Sequence, residues 1–325
     1  MIISSSLDEF NVQIFIPTYN RAIMLTRAIK SVQQQSHKNI EIIILDNASD
    51  DETQTIVNEI AESDPHLTYI RHTHNIGMMK NFNSISKLVT SPFFCVLTDD
   101  DIYEKDFLST ALHLCCLNPT SFAAILNAPT RKDGLIIGSQ LSTWKEGFYP
   151  PGAALNYCIN WKHPILTNCV FRKEISDIFY FEPTLGGTAD VYFFVQLFCN
   201  YPTAVSKKVM GYYDIHESNV TTNNRGREAL RQSIILVKMA NRYLFDRGYK
   251  FEFKYPIPQW CPHWCFALYS LVYYSKSSSE MQCVIDDKEI IGHFGLVFKW
   301  VVGLLGIPII FTLAKWVISM LKKLR

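Results

Sequence analysis

The chain predicts an α/β fold built on a mostly parallel sheet flanked by helices, and three observations point there. From Val12 to Leu117 short β-branched or aromatic runs alternate with stretches of helical period, the pattern of strands joined by crossover helices. Each apolar run ends in a polar cluster, as expected of an open sheet that binds ligands outside the carboxyl ends of its strands. Apolar residues fill 48% of the 325 positions, enough for a buried core in roughly two domains and too many for a disordered tail.

The run from Val12 to Ile16 predicts the first strand, and Pro17-Thr18-Tyr19-Asn20-Arg21 follows it. A helix comes next, with Ile23, Ala28, Ile29 and Val32 expected on its buried face. Ile42 to Leu45 predicts a second strand, ending in Asp46-Asn47-Ala48-Ser49-Asp50-Asp51 and leading to a helix that carries Ile56, Val57 and Ile60. Thr68 to Ile70 predicts a third strand, with Arg71 and Asn75-Ile76-Gly77 after it. A helix with Phe82, Ile85, Leu88 and Val89 on its buried side separates it from the run Phe93 to Leu97, which ends in Thr98-Asp99-Asp100-Asp101. Ser49, Asp50 and Asp51 are read mainly as caps of the following helix, whereas Asp46 and the triple Asp are read as site residues.

Three adjacent carboxylates repel one another, so their place at the end of a buried strand calls for a divalent cation, and a cation there suggests phosphate chemistry. The first glycine of the chain is Gly77, which excludes a glycine-rich dinucleotide turn or a P-loop after the first strand. Diphosphate charge must then be met by a metal held on the triple Asp. A net charge of +1 disfavours nucleic acid as a partner. The nine cysteines show no paired framework and read as reduced core residues of a cytosolic protein. Residues 1–10 lack the charged and apolar regions of a secretory signal, so cytoplasmic synthesis and function are expected.

The set of segments resembles the GT-A glycosyltransferases of family 2, which move a sugar from a nucleotide-sugar donor with inversion at the anomeric carbon. The resemblance rests on the Pro-Thr-Tyr-Asn-Arg after the first strand, the stretch from Glu41 to Thr53, Asn75-Ile76-Gly77 with Asn81, and Thr98-Asp99-Asp100-Asp101; it covers about residues 10–220. It implies a Rossmann-like GT-A sheet and a nucleotide pocket lined by Pro17, Thr18, Tyr19 and Arg21. Asp46 would accept a hydrogen bond from the base, while Arg71 and Asn81 would close the site. Asp99 would touch the ribose and Asp100 would hold Mn2+ or Mg2+ on the diphosphate, with Asp101 competing for that role. The family's general base opens a downstream helix, often in a Glu-Asp pair. Here Gly186-Gly187-Thr188-Ala189-Asp190 lacks the first acid and leaves Asp190 as the base, after a glycine pair expected to let substrate approach the backbone. In Tyr212 to Asn219, His216 matches a family histidine that reaches diphosphate or metal. The aromatic stretch with Trp144, Phe148, Tyr149, Trp161 and His163 suits an acceptor wall or core packing equally.

Residues 1–220 are thus expected to form the catalytic domain, with the nucleotide-sugar half at about 10–117 and the acceptor half at about 118–220. Residues 221–290 read as a helical appendage with helices over 226–247 and 259–275, separated by Tyr255-Pro256-Ile257-Pro258. No Gln-x-x-Arg-Trp signature of processive synthases is present, which favours single additions over polymerisation. In 291–325 the uncharged run from Trp300 to Ala314 is short for a membrane span and contains Pro308. Thr312, Lys315, Ser319 and Lys322 form a polar stripe beside a wide apolar arc, the pattern of a helix lying in the membrane interface. Lys322, Lys323 and Arg325 would meet anionic lipid, placing the protein peripherally on the cytoplasmic face of the inner membrane. The expected activity is transfer of one sugar to a hydroxyl of a lipid-linked saccharide, as in bacterial surface-glycan or lipopolysaccharide assembly. A nucleotidyltransferase and a non-catalytic nucleotide-sugar binder or membrane scaffold are the alternatives; the oligomeric state is left open.

Overall fold

The computed structural model of the chain describes residues 7–216 and 227–250. The chain divides into two units, one of residues 1–183 with 190–216 and another of 184–189 with 217–325. The segments 251–290 and 291–325, including the expected second appendage helix and the membrane stripe, lie outside the described residues.

The first unit is organised by an eight-stranded sheet. Its parallel half contains β1 (Val12–Thr18), β2 (Ile40–Asp46), β3 (Leu67–Arg71) and β4 (Phe93–Val96), in the spatial order β3-β2-β1-β4. β1 and β2 run in register from Val12 opposite Ile40 to Thr18 opposite Asp46, so their polar ends emerge side by side. All seven β1 residues are buried, including Thr18 at the mouth. This is the continuous apolar strand of a sheet covered on both faces.

The helices supply the cover. In α1 (Ala22–Gln33) the buried positions are Ala22, Leu25, Ala28, Ile29, Ser31 and Val32, which follow the helical period. Ile23, expected on that face, is 80% exposed, because the stripe through Leu25, Ile29 and Val32 turns it outward. α2 (Thr53–Ser63) buries Val57, and α3 (Met78–Leu88) buries Ile85 and Asn81. Phe82 is partly buried and meets Phe181 edge-on at 5.7 Å. Helix α4 (Phe107–Leu117) follows the short strand β5 (Ile102–Tyr103).

The rest of the sheet adds antiparallel pairings to this mostly parallel arrangement. β10 (Cys169–Arg172) inserts antiparallel between β4 and β6 (Ala123–Asn127). β11 (Thr203–Val209) pairs parallel with β6, and β9 (Gly147–Tyr149) pairs antiparallel with β11 at the edge. These strands arise beyond Leu117, where the alternation of strand and helix no longer dictates parallel pairing. A second sheet has the order β5-β12-β7-β8, where β7 is Pro129–Lys132, β8 Leu135–Ser139 and β12 Gly211–Ile215. It brings the chain back beside the loop that follows β4. Two helices complete the first unit's chain, α5 (Leu155–Ile159) and α6 (Ala189–Asn200).

Within the second unit, α7 (Arg227–Asp246) agrees with the helix expected over 226–247. Its buried residues include Ile234, Leu236, Val237, Ala240 and Leu244. Gly186 has φ 47°, and the space a Cβ would occupy there is filled by the Gln232 amide.

Candidate active site

The first cluster forms where β1 and β4 end together. Thr18 Oγ1 donates to Asp99 Oδ2 at 2.8 Å. Arg21, just before α1, sends Nη1 to both Asp99 Oδ1 and Asp100 Oδ2, each at 2.9 Å. His216, which follows β12, places Nε2 3.1 Å from Asp100 Oδ2. Residues 18, 21, 99, 100 and 216 are thus brought together from three parts of the chain. Burial pushes the Asp99 carboxyl up to about 6; Arg21 opposes the rise and the Asp100 charge adds to it.

Asp101 has different surroundings. Its Oδ2 accepts from Thr98 Oγ1 and Thr167 Oγ1, both at 2.6 Å, and its Oδ1 accepts the Asp214 backbone N–H at 3.2 Å. Burial first, then the Asp100 charge, raises its pKa well above the carboxylate range. Among the described residues no group of three or more His, Cys, Asp or Glu side chains surrounds a common point. Asp100 and His216 nonetheless fit a divalent cation: one carboxylate oxygen and one imidazole nitrogen lie close together. Mg2+ sites commonly use one or two protein carboxylates and complete their shell with water and substrate phosphate.

A second cluster forms at the end of β2. Asp46 is fully buried and both its oxygens are engaged. Ser49 N and Oγ donate to Oδ1 at 2.9 and 2.5 Å, while Tyr69 Oη donates to Oδ2 at 2.6 Å and Arg71 Nε lies 3.2 Å from the same oxygen. Arg71 Nη2 also donates to the Ser49 carbonyl at 2.7 Å. Burial and then the bond to Asp46 raise the Tyr69 pKa, which keeps the phenol a donor. The turn is held with Ala48 at φ 64°, a left-handed conformation that costs a non-glycine residue about 1 kcal/mol. Asn81 is a brace beneath it: Nδ2 donates to the Leu45 carbonyl at 2.9 Å and Oδ1 lies 3.0 Å from His72 Nε2. Pro17 is buried opposite Leu45, and Tyr19 is 42% exposed at the rim.

Asp190 lies in the first turn of α6. It accepts the Val191 N–H at 2.8 Å, and burial raises its pKa while nearby His163 pulls it down. Trp144 belongs to the core, not to an acceptor wall: it is 2% exposed, stacks on Tyr157 at 4.0 Å and donates Nε1 to the Lys162 carbonyl. Phe148 remains exposed on the edge strand β9.

The sequence reading named none of Tyr69, Asn47, Thr167 and Asp214 as a site residue and took Ser49 as a helix cap, whereas it holds Asp46. Tyr69 had a signal, since it lies two residues before Arg71 on one strand and period two sends both side chains toward Asp46. Asn47 lay inside a quoted segment; it donates to Asn75 Oδ1 and accepts the Ile76 N–H, both at 2.9 Å. Thr167 had no signal, because its role depends on a loop 66 residues away from Asp101.

A mixed sheet with aspartates gathered at its strand ends is a GT-A type of fold, and the comparisons agree. The family model Glycosyl transferase family 2 matches residues 13–179, just over half the chain, and the chain belongs to that family. It is 33% identical over 100 residues to the GalNAc(5)-diNAcBac-PP-undecaprenol beta-1,3-glucosyltransferase of Campylobacter jejuni subsp. jejuni, which covers 30% of this chain and 32% of that protein. The match thus spans about a third of the relative's length. Against the UDP-Glc:alpha-D-GlcNAc-diphosphoundecaprenol beta-1,3-glucosyltransferase WfaP of Escherichia coli the identity is 26% over 225 residues, covering 69% of this chain and 85% of the relative. Among solved structures, S. aureus TarS 1-349 in complex with UDP-GlcNAc gives a TM-score of 0.58 at 17% identity over 74% of this chain and 73% of that one. The mannosyltransferase PcManGT from Pyrobaculum calidifontis, in complex with GDP-Man and Mn2+, gives 0.53 at 17% identity over 72% and 64%. At such identities the likeness is one of fold.

Proposed function

We propose that the chain is an inverting glycosyltransferase that moves one sugar from a nucleoside-diphosphate sugar to a hydroxyl of a lipid-linked saccharide. The observation that carries the reading is the convergence of Thr18, Arg21, Asp99, Asp100 and His216 at the strand ends. Family membership and two relatives named for undecaprenol-diphosphate acceptors support it.

In this reading Thr18 and Arg21 orient Asp99 toward the ribose, with Pro17 and Tyr19 lining the pocket. Asp46 serves the base; its four existing donors mean that a base N–H must take the place of one of them. Arg71 and Asn81 hold that end of the pocket in shape. Asp100 and His216 hold Mn2+ or Mg2+, which supplies charge neutralisation for the leaving diphosphate. Asp101 is the less suitable ligand, because three donors already occupy its oxygens.

The chemical step is a single displacement. The acceptor hydroxyl oxygen forms a bond to the anomeric carbon, and the bond from that carbon to the diphosphate oxygen breaks with its electron pair leaving on the nucleoside diphosphate. Asp190 receives the hydroxyl proton, and its burial-raised pKa suits a general base. Residues 291–325 hold the protein peripherally on the cytoplasmic face of the membrane, with residues 1–220 as the catalytic part.

The test is to incubate the full chain with a panel of nucleotide sugars, Mn2+ and undecaprenyl-diphosphate-linked saccharides, and to follow both glycolipid product and released nucleoside diphosphate. The reading expects equal amounts of both with inverted anomeric configuration in the product. Donor binding without transfer to any lipid-linked saccharide would contradict the acceptor class, and retained configuration would contradict the single displacement.

A further inference from the structure

One carboxylate of the triple aspartate has no task in the reaction above. Asp101 is 1% exposed, and its oxygens are divided between two elements: Oδ2 accepts from the Thr98 and Thr167 hydroxyls, Oδ1 from the backbone N–H of Asp214 in β12. A carboxylate with three donors around it and almost no exposed surface has little left to offer a cation.

The strand it grips is the one that delivers His216. β12 enters by pairing Gly211 with Tyr103 and Tyr212 with Ile102, directly after the triple Asp. At Gly211 a Cβ would lie 2.9 Å from the Ile102 carbonyl oxygen, so the close approach requires glycine. Farther along, the Asp214 side chain is held from the other side by Arg131, at 2.7 and 2.8 Å, and by Arg27 at 3.2 Å. The Asp214 backbone faces Asp101, and two residues on His216 reaches Asp100.

We propose that Asp101 is a positioning residue: by holding the Asp214 amide against the Thr98 and Thr167 hydroxyl pair, it fixes the end of β12 that brings His216 to Asp100. The consequence for cation binding rests on the reading that Asp100 and His216 are its ligands. The role needs hydrogen bonds and no negative charge. Asparagine can keep all three, accepting the Asp214 N–H through its oxygen and donating its two amide hydrogens to hydroxyls that turn to accept.

Two measurements on the full chain test this, amide hydrogen exchange of residues 211–216 without metal and Mn2+ affinity by electron paramagnetic resonance. Asp101→Asn should leave both within about threefold of the parent, whereas Asp101→Ala should speed exchange and weaken Mn2+ binding by about tenfold or more. Adding His216→Ala to Asp101→Ala should weaken Mn2+ binding no further, because the two residues act through one interaction. Thr167→Val should shift both readouts in the same direction by less, and it serves where Asp101→Ala does not fold. Unchanged exchange in Asp101→Ala, or in Thr167→Val where that variant serves, would overturn the proposal. So would a loss of Mn2+ in Asp101→Asn as large as in Asp100→Asn, or additive effects of the Asp101 and His216 changes. If Asp100→Asn itself leaves Mn2+ binding intact, the cation reading fails while the exchange result still decides whether Asp101 holds β12.

Discussion

Asp99 is a carboxylate buried beside another carboxylate, and that fixes how the site responds to pH. Its pKa, pushed up to about 6, means that the folded protein binds a proton that the unfolded chain, with an ordinary carboxylate near 3.8, has already released. The stability this group contributes is full below 3.8 and is lost as pH rises through about 6. A cation held by Asp100 relieves the crowding of negative charge that remains above that pH. Mn2+ should therefore raise the unfolding temperature more at pH 7.5 than at pH 5, measured by thermal denaturation, and an equal rise at both values would contradict the assignment. Asp190 is also in surroundings that favour the proton. Asp190→Asn keeps its shape and removes its basicity, so turnover should fall by about two to four orders of magnitude with donor affinity close to normal. Substantial turnover in that variant would pass the role to another acid, with Glu182 the first to examine.

Two helices and two loops meet at Asp51, the residue that sequence reasoning assigned to capping. Its Oδ2 accepts the Ala22 N–H that opens α1 at 3.1 Å, and its Oδ1 accepts the Thr53 N–H that opens α2 at 3.0 Å. One exposed side chain thus fastens the starts of both helices that follow β1 and β2. Asp51→Ala should cost about 1 kcal/mol in chemical denaturation, and no loss of stability would show that solvent replaces both bonds. The elements of the parallel half were legible because each has a strong period: four apolar strands, helices with a stripe, and polar residues where each strand stops. Even there Ile23 was placed on the wrong side of α1, since an apolar residue near a helix start need not join the stripe. The antiparallel β10 and the second sheet were not legible, because their pairings join residues far apart in the chain, such as Phe171 with Phe94 and Gly211 with Tyr103. The site divides in the same way. Thr18, Arg21, Asp99 and Asp100 sit in local motifs and could be named, while Thr167 and Asp214 owe their place to tertiary folding.

At the scale of the molecule the Asp46 cluster and the Asp99, Asp100 and His216 cluster both belong to the first unit, and the proposed membrane segment lies outside the described residues. No helix among the described residues is long and apolar enough to cross a membrane. Deleting 291–325 should release the protein from anionic vesicles in a sedimentation assay and leave nucleoside-diphosphate binding unchanged, and vesicle binding that survives the deletion would move the contact elsewhere. High salt should weaken the intact protein's binding without abolishing it, because apolar burial is not screened. The proposed function stands on one claim, that the ends of β1, β4 and β12 form a cation-assisted nucleoside-diphosphate site centred on Asp100. Isothermal titration of the intact chain with nucleoside diphosphates, with and without Mn2+, tests it most directly. Binding should require Mn2+ and be lost in Asp100→Ala; tight binding without metal, or unchanged Mn2+-dependent affinity in Asp100→Ala, would rule this site out.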